Sequence, residues 1–259
     1  MISLIYGNGE SRKVWDTTKS YTGVTTWGCN AAYRDCKVDN LVAIDYGIQQ
    51  EIYESGYAIE HDCYFADWSV VEEFDPEFLK MNYLPTDIHE TKRNDNKSCV
   101  IQGKERETAE KNYQEMLTQF PHLDKDDLRA KCYNNVGLYI TWLEQKDKVN
   151  LIDYPREWCA GATAMYLSCK QGAKEIYMLG FDLSEYDEPI NNIYKGTDNY
   201  LSENSRGFNT DNWTTQLIQT FKDFPETQFY WVVQEDASPM ICENVRSVTY
   251  KNLDIVCNT

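Results

Sequence analysis

Met1-Ile2-Ser3-Leu4-Ile5-Tyr6-Gly7-Asn8-Gly9-Glu10-Ser11 is the stretch on which the fold reading turns. Its first half is a short apolar run, and its second half sets two glycines around an asparagine. The pattern reads as a strand, a tight turn, and then a helix start or loop at Arg12-Lys13-Val14-Trp15. A strand that runs into a glycine turn is the first unit of a nucleotide-binding α/β sheet. Gly7 and Gly9 let a ligand approach the main chain, and the amides from Asn8 to Ser11 can point at a phosphate. The fingerprint is partial, with neither the third glycine of the dinucleotide motif nor a Walker lysine, and the same residues also suit an ordinary turn.

The pattern repeats outward from that turn. Residues 23–29 are β-rich and stop at Asn30; Leu41-Val42-Ala43-Ile44 stops at Asp45; residues 46–55 then have helical spacing, with Gly56 as the stop. Residues 57–59 return to an extended pattern. Three polar tips, at Gly7-Asn8-Gly9, Asn30 and Asp45, can line one crevice, because ligands of open parallel sheets lie across the carboxyl ends of the strands. Asn30 and Asp45 suit helix caps as well.

From Asp62 to about Val149 the rhythm is lost, and we expect 62–149 to be a helical insertion or lid within a single domain spanning 1–259. Inside it, residues 98–102 read as a short strand and 104–120 as a charged helix, while 138–143 and 149–152 are candidate strands. Beyond Trp158, Cys159-Ala160-Gly161-Ala162 begins a helix with small residues, and Lys174-Glu175-Ile176-Tyr177-Met178-Leu179-Gly180-Phe181-Asp182 is a buried strand with a polar end. A small-residue helix start admits a ligand or a neighbouring backbone. Residues 183–212 form a long polar loop rich in tyrosine, followed by a helix at 213–224, a strand at 228–233 and a weaker one at 245–250. The fold class is α/β: Rossmann-like, with a mostly parallel sheet flanked by helices and a helical insertion.

A chain of 259 residues with 42% hydrophobic and 14% aromatic residues can bury the core of such a domain. Its formal charge of −17, from 25 Lys+Arg against 42 Asp+Glu, excludes a nonspecific grip on nucleic acid through bulk charge. Nine cysteines with no Cys-x-x-Cys pair, and three histidines, point to free thiols in a reducing compartment and to no metal-ligand set. With no leader and no apolar run of ~18 to 20 residues, the expectation is a cytoplasmic protein without a membrane partner.

Gly7-Asn8-Gly9-x-Ser11, Asn30 and the strand ending at Gly180-Phe181-Asp182 together resemble the bacterial sialyltransferases of glycosyltransferase family 42. They are also similar to the Rossmann-like group that includes archaeal 6-hydroxymethylpterin diphosphokinases. These families open with a strand and Gly-x-Gly-Pro-Ser; Glu10 stands where the proline would be. The resemblance covers the first sixty residues or so and about 158–231. It implies that Gly7, Asn8, Gly9, Ser11 and Asn30 approach the nucleotide, that Ala160, Gly161 and Ala162 lie near its base or phosphate, and that Tyr186 and Tyr194 hold the phosphate. The sialyltransferases place a general-base histidine in the loop after this strand, and residues 199–206 contain none. Asp45, Asp182, Asp187 and Glu203 are the carboxylates that can replace it, and Arg206 or Arg34 can supply a cation at the leaving phosphate.

The resemblance thus implies a nucleotide-sugar as donor substrate rather than a tightly bound cofactor; for such a transferase we expect an acceptor that is a glycan or a hydroxylated base of phage DNA. Diphosphate transfer to a hydroxymethyl heterocycle stays open, with Mg²⁺ between Asp45 and Asp182. So does a nucleotide-binding module without catalysis.

Overall fold

The computed structural model describes residues 1–66, 88–92, 98–102, 106–132, 148–152, 154–155, 158–183, 188–207, 209–234 and 242–257. The strands are β1 (Ile2–Tyr6), β2 (Val24–Cys29), β3 (Asn40–Ala43), β4 (Asp62–Ala66), β5 (Ile88–Lys92), β6 (Ser98–Gln102), β7 (Val149–Ile152), β8 (Glu175–Leu179), β9 (Gln228–Val233) and β10 (Val245–Thr249). The helices are α1 (Tyr46–Ser55), α2 (Tyr57–Glu60), α3 (Arg106–Gln119), α4 (Lys125–Cys132), α5 (Ala160–Lys170), α6 (Asp211–Asp223) and α7 (Tyr250–Cys257), with 3-10 turns at Glu10–Val14 and Asn30–Arg34.

Eight strands form one sheet in the order β10-β9-β8-β1-β2-β3-β4-β7, and every pairing in it is parallel. Parallel sheets are covered on both faces, which explains the near-continuous apolar runs: Leu4, Ile5, Leu41, Val42, Ile176 and Met178 are all fully buried. One face packs against α5 and α6 through Ala162, Met165, Leu217 and Phe221. From β1 the chain winds outward through β2, β3, β4 and β7, then returns to place β8 on the other side of β1. The strand order therefore reverses between β1 and β8, the position where open α/β sheets hold their ligands.

This sheet belongs to a unit of residues 1–66 and 148–259, and residues 67–147 form a second unit. In the second unit β5 and β6 are an antiparallel pair, and α3 is followed by α4, whose Leu128 and Cys132 are buried. β4 and the start of β7 fall within the range read from sequence as an insertion, yet both are strands of the main sheet. The expected extended segment at 57–59 is the short helix α2: Gly56, at φ 76°, ends α1 in a left-handed turn and begins the next helix at once. The tail carries α7 after β10, which the sequence reading missed. The candidate strand at 138–143 lies outside the described residues. No helix among the described residues is long and apolar enough to cross a membrane.

Candidate functional site

The loops after β1 and β8 meet at the point where strand order reverses, and they are stitched together by main-chain bonds. Gly7 N donates to Leu179 O (2.8 Å) and Gly9 N to Gly180 O (2.9 Å). A side chain at Gly7 would lie 2.6 Å from Gly180 O, and one at Gly9 would lie 2.6 Å from the Asp182 carboxylate. These two glycines are required by a neighbouring loop of the same chain. Of the amides expected to face a phosphate, two more are likewise occupied: Glu10 N donates to Asn191 Oδ1 (2.7 Å) and Ser11 N to Asp182 Oδ2 (2.8 Å). The Ser11 hydroxyl donates to Asp182 Oδ1. Asp182 thus fastens the β1 loop to the β8 loop.

Beneath this junction lies a residue that sequence reading passed over. Arg12 is 2% exposed; it donates to Gly7 O (2.7 Å), to Asn8 Oδ1 (3.4 Å) and to the Tyr194 hydroxyl (2.7 Å), and pairs with Asp35 at 3.5 Å. Tyr194, itself buried, donates its hydroxyl proton to Asp35. Its hydroxyl, read from the resemblance as a phosphate ligand, is held between Arg12 and Asp35 here. Tyr200 was not singled out from sequence either, yet it reaches the strand tips. Its hydroxyl accepts from Asn8 Nδ2 (3.3 Å) and from Ala31 N (3.2 Å), and burial raises its pKa.

Asn30 has left-handed backbone angles, φ 51°, uncommon for a residue with a side chain. Its side chain accepts from Ile44 N (3.3 Å) and donates Nδ2 to Asp45 Oδ2 (3.3 Å), so the tips of β2 and β3 are tied together. Asp45 occupies the N-cap position of α1, yet its side chain makes no cap hydrogen bond. The carboxylate is open to solvent but set in a crevice whose protein walls displace much of the surrounding water. This loss of hydration raises its pKa against the lowering effect of Asn30. Cys159 is close enough for the Asp45 charge to act on its thiol.

Cys159 is the N-cap of α5, and its sulfur accepts from Ala162 N at 3.5 Å. A thiol is a weak acceptor, so the first amides of this helix are poorly capped. Burial, with a smaller contribution from Asp45, pushes the Cys159 pKa up to about 11 despite the amide bonds that lower it, and the thiol stays protonated at neutral pH. Ala160 and Ala162 are buried, and a side chain at Gly161 would meet the Phe181 ring at 3.1 Å. The small residues serve the packing of α5 on the β8 loop.

Among the remaining residues singled out from sequence, Arg34 is engaged by Glu51, donating Nε at 2.7 Å and Nη2 at 2.6 Å. Glu203 is exposed and lies against Gly196, while Arg206 is exposed and pairs through its backbone with Pro189. Tyr186 and Asp187 lie outside the described residues. Among the described residues no group of three or more His, Cys, Asp and Glu side chains is placed to hold a metal ion.

The crevice therefore brings together Asn8, Asn30, Asp45, Cys159 and Tyr200, with the start of α5 alongside. It offers a carboxylate of raised pKa, amide and phenol hydrogen-bonding groups, and a helix N-terminus suited to an anion.

No protein-family model matches the chain, and no curated protein matches it. Among solved structures it is similar to the sialyltransferase CstII from Campylobacter jejuni in complex with cytidine-5'-monophosphate, at 14% identity and a TM-score of 0.38 over 89% of this chain and 79% of that one. It is similar also to the monofunctional α-2,3-sialyltransferase Cst-I of the same organism, at 13% identity and a TM-score of 0.40 over 89% of this chain and 74% of that one.

Proposed function

We propose that this protein is a glycosyltransferase that moves a sugar from a nucleotide-sugar donor to an acceptor hydroxyl. The observation that carries the reading is Asp45: a carboxylate at the carboxyl end of β3, held by Asn30, with a raised pKa and no capping bond. Of the four carboxylates expected to replace a histidine base, Asp182 is bound to Ser11, Glu203 lies against Gly196 and Asp187 is not described. Asp45 faces the crevice with only one weak donor.

In this reading the donor lies across the strand tips, its phosphate at the start of α5, where the Cys159 thiol is a poor competitor for the helix amides. The acceptor oxygen attacks the anomeric carbon. The bond from that carbon to the nucleotide's phosphate oxygen breaks, its electron pair leaves with the phosphate, and Asp45 takes the acceptor proton. A raised pKa makes Asp45 a stronger base than an ordinary aspartate. Arg34 is committed to Glu51, so the charge developing on the phosphate falls chiefly to the α5 amides and the Asn8 amide group. We take the acceptor to be a glycan, since a chain of net charge −17 repels the DNA that would carry a hydroxylated base. Residues 67–147, the part of the expected 62–149 region outside the main sheet, are taken in this reading as an insertion into one nucleotide-binding domain.

A thermal-shift panel of CMP-, UDP-, GDP- and dTDP-sugars, with ATP and GTP plus Mg²⁺ alongside, tests this. At 100 times its dissociation constant a ligand stabilises by about 2.7 kcal/mol. For a protein of this size that is about 5 to 11 °C in Tm. A shift with one sugar nucleotide supports the transferase. A shift only with a triphosphate and Mg²⁺ turns the reading to diphosphate transfer, and no shift at all overturns both.

A further inference from the structure

Arg34 joins three segments of the chain. It ends the 3-10 turn after β2; its Nε and Nη2 donate to Glu51 of α1 (2.7 and 2.6 Å), its Nη1 donates to Thr197 Oγ1 (2.8 Å), and its Nη2 also reaches Asp198 O (3.1 Å). Glu51 in turn accepts from Tyr33 (2.6 Å) and from Asn199 Nδ2 (2.8 Å). With every guanidinium nitrogen engaged, the plane of Arg34 is fixed. It lies over two rings, 5.7 Å from the centre of Tyr194 and 5.9 Å from that of Tyr200, while Arg12 lies 5.6 Å from Tyr194. The two rings are 5.5 Å apart. Cation and ring thus alternate through Arg12, Tyr194, Arg34 and Tyr200, each step within cation–π range.

Tyr200, the last member of this series, is also where the backbone is least ordinary. Asn30 (φ 51°) and Asn199 (φ 65°) are the two residues other than glycine with left-handed angles among the described residues. Asn30 directly precedes Ala31 and Asn199 directly precedes Tyr200, and Ala31 N donates to the Tyr200 hydroxyl at 3.2 Å. Both departures therefore converge on one hydrogen bond, and such conformations persist only where the surroundings impose them. At Asn199 the imposing contacts are the bond to Glu51 and a close fit on α1, where a side chain at Gly47 would fall 2.5 Å from Asn199 Oδ1. The Tyr200 hydroxyl accepts a second bond from Asn8 Nδ2 (3.3 Å). With two bonds accepted, it has its proton left for a ligand in the crevice.

We propose that Arg34 is a positioning residue: anchored by Glu51, it sets the ring of Tyr200 so that the hydroxyl stands at the strand tips with its proton available to the ligand. A lysine in its place keeps a positive charge opposite Glu51. It lacks the fork of donors that also holds Thr197 and Asp198, and the flat face that lies against two rings. The effect on donor binding rests on the function proposed above; the placement of Tyr200 does not.

The test is amide hydrogen exchange followed by NMR, without ligand, on the wild type, Arg34→Lys, Glu51→Gln and Tyr200→Phe, with circular dichroism as the folding control. Ala31 is fully buried and its amide has the Tyr200 hydroxyl as acceptor. Tyr200→Phe removes that acceptor and should speed exchange of the Ala31 amide at least 10-fold. Arg34→Lys and Glu51→Gln leave both partners of the bond in the chain, yet should do the same while the amides of β1 and β8 keep their protection. Ala31 exchange unchanged in Tyr200→Phe or in Arg34→Lys, or β1 and β8 amides that speed up as much as Ala31, would each overturn the proposal; Glu51→Gln decides it should Arg34→Lys not fold. A sugar nucleotide that binds the wild type should bind Arg34→Lys and Tyr200→Phe at least 5-fold more weakly, and the double variant no more weakly than Tyr200→Phe alone. Losses that multiply would overturn the proposal. Failure of every sugar nucleotide to bind the wild type would remove the transferase, and Ala31 exchange would still decide the placement of Tyr200.

Discussion

Replacing Arg12 by alanine should cost this fold more than any surface substitution, because the guanidinium ties three separate segments together from a position 2% exposed. It bonds Gly7 O at 2.7 Å and the Tyr194 hydroxyl at 2.7 Å, and it pairs with Asp35 at 3.5 Å. Asp35 is 48% exposed, so losing its partner leaves it hydrated and adds little. The cost comes from Gly7 O and the Tyr194 hydroxyl: each is buried and each loses its donor, at about 1–3 kcal/mol apiece. Lost packing of the Arg12 stem adds to this, and we expect about 3–5 kcal/mol in total, a range also typical of breaking a buried ion pair. At roughly 2–4 °C per kcal/mol, Tm should fall by about 6–20 °C. Tyr194→Phe removes the hydroxyl that accepts from Arg12 and donates to the half-exposed Asp35, and should cost about 1.5–3 kcal/mol, chiefly through the buried Arg12 bond. Because both substitutions break the same bond, the double variant should cost less than the sum by about 1 kcal/mol or more. Urea unfolding of the four proteins at neutral pH measures the cycle. A cost under 1 kcal/mol for Arg12→Ala, or strict additivity with Tyr194→Phe, would refute the argument that this cluster holds the loops together.

Asp45→Asn should lower turnover about 10²- to 10⁴-fold in a donor-acceptor assay, the usual contribution of a positioned base. Its folded pKa is raised, so the ionised form is the one the fold disfavours. The resulting loss of stability sets in as pH rises from the ordinary aspartate pKa of 3.8 through the folded value; at neutral pH the variant's Tm should therefore equal or exceed that of the wild type. Ser11→Ala removes a hydrogen bond to the Asp182 carboxylate and should cost about 1.5–3 kcal/mol in urea unfolding, and Asp182→Asn should lower stability while leaving the pH profile of turnover unchanged. Glu51 has the opposite linkage to Asp45: burial raises its pKa, but the bonds from Arg34, Tyr33 and Asn199 outweigh burial and leave it lowered. It thus adds stability above the ordinary glutamate pKa of 4.5, lost as pH falls below that value through the folded pKa; a Tm-against-pH series should show Glu51→Gln converging on the wild type in acid. Cys159→Ser supplies a better helix cap and should raise stability by up to about 1 kcal/mol while weakening nucleotide-sugar affinity several-fold by titration calorimetry.

The sheet was legible because a strand buried on both faces must be apolar throughout. Leu4-Ile5-Tyr6, Leu41-Val42-Ala43 and Ile176-Tyr177-Met178-Leu179 have no other reading. β4 was not legible, since Asp62 to Ala66 alternates buried and partly exposed residues as an edge-like strand does, and it precedes a polar stretch. α2 is too short for any helical period to show. In the site, the polar tips Asn30 and Asp45 were visible as residues following strands, and their mutual bond follows from β2 and β3 being neighbours. Arg12 was invisible for the converse reason: beside Lys13 and after a turn it looks solvated, and the tyrosine that makes its burial tolerable is 182 positions away. Gly7-x-Gly9 and Gly180-x-Asp182 follow two strands of similar length, as expected of paired loops that pack backbone to backbone.

The hydrogen bonds of this region divide into two kinds, and the division bears on function. Those that hold loops in place are short and made to charged or main-chain partners: Arg12 to Gly7 O at 2.7 Å, Ser11 N to Asp182 at 2.8 Å, Arg34 to Glu51 at 2.6 Å. Those that face the crevice are long or made to a poor acceptor: Asn30 to Asp45 at 3.3 Å, Asn8 to Tyr200 at 3.3 Å, Ala162 N to the Cys159 sulfur at 3.5 Å. A ligand can gain only what exceeds the bonds it displaces, so a crevice closed by weak bonds loses little when they are exchanged. A frame closed by strong bonds, by contrast, is already in its binding geometry. The crevice of Asn8, Asn30, Asp45, Cys159 and Tyr200 is thus the part of the strand-tip surface where substrate can replace internal contacts at low cost, and Asp182, despite its matching position at the end of β8, is not.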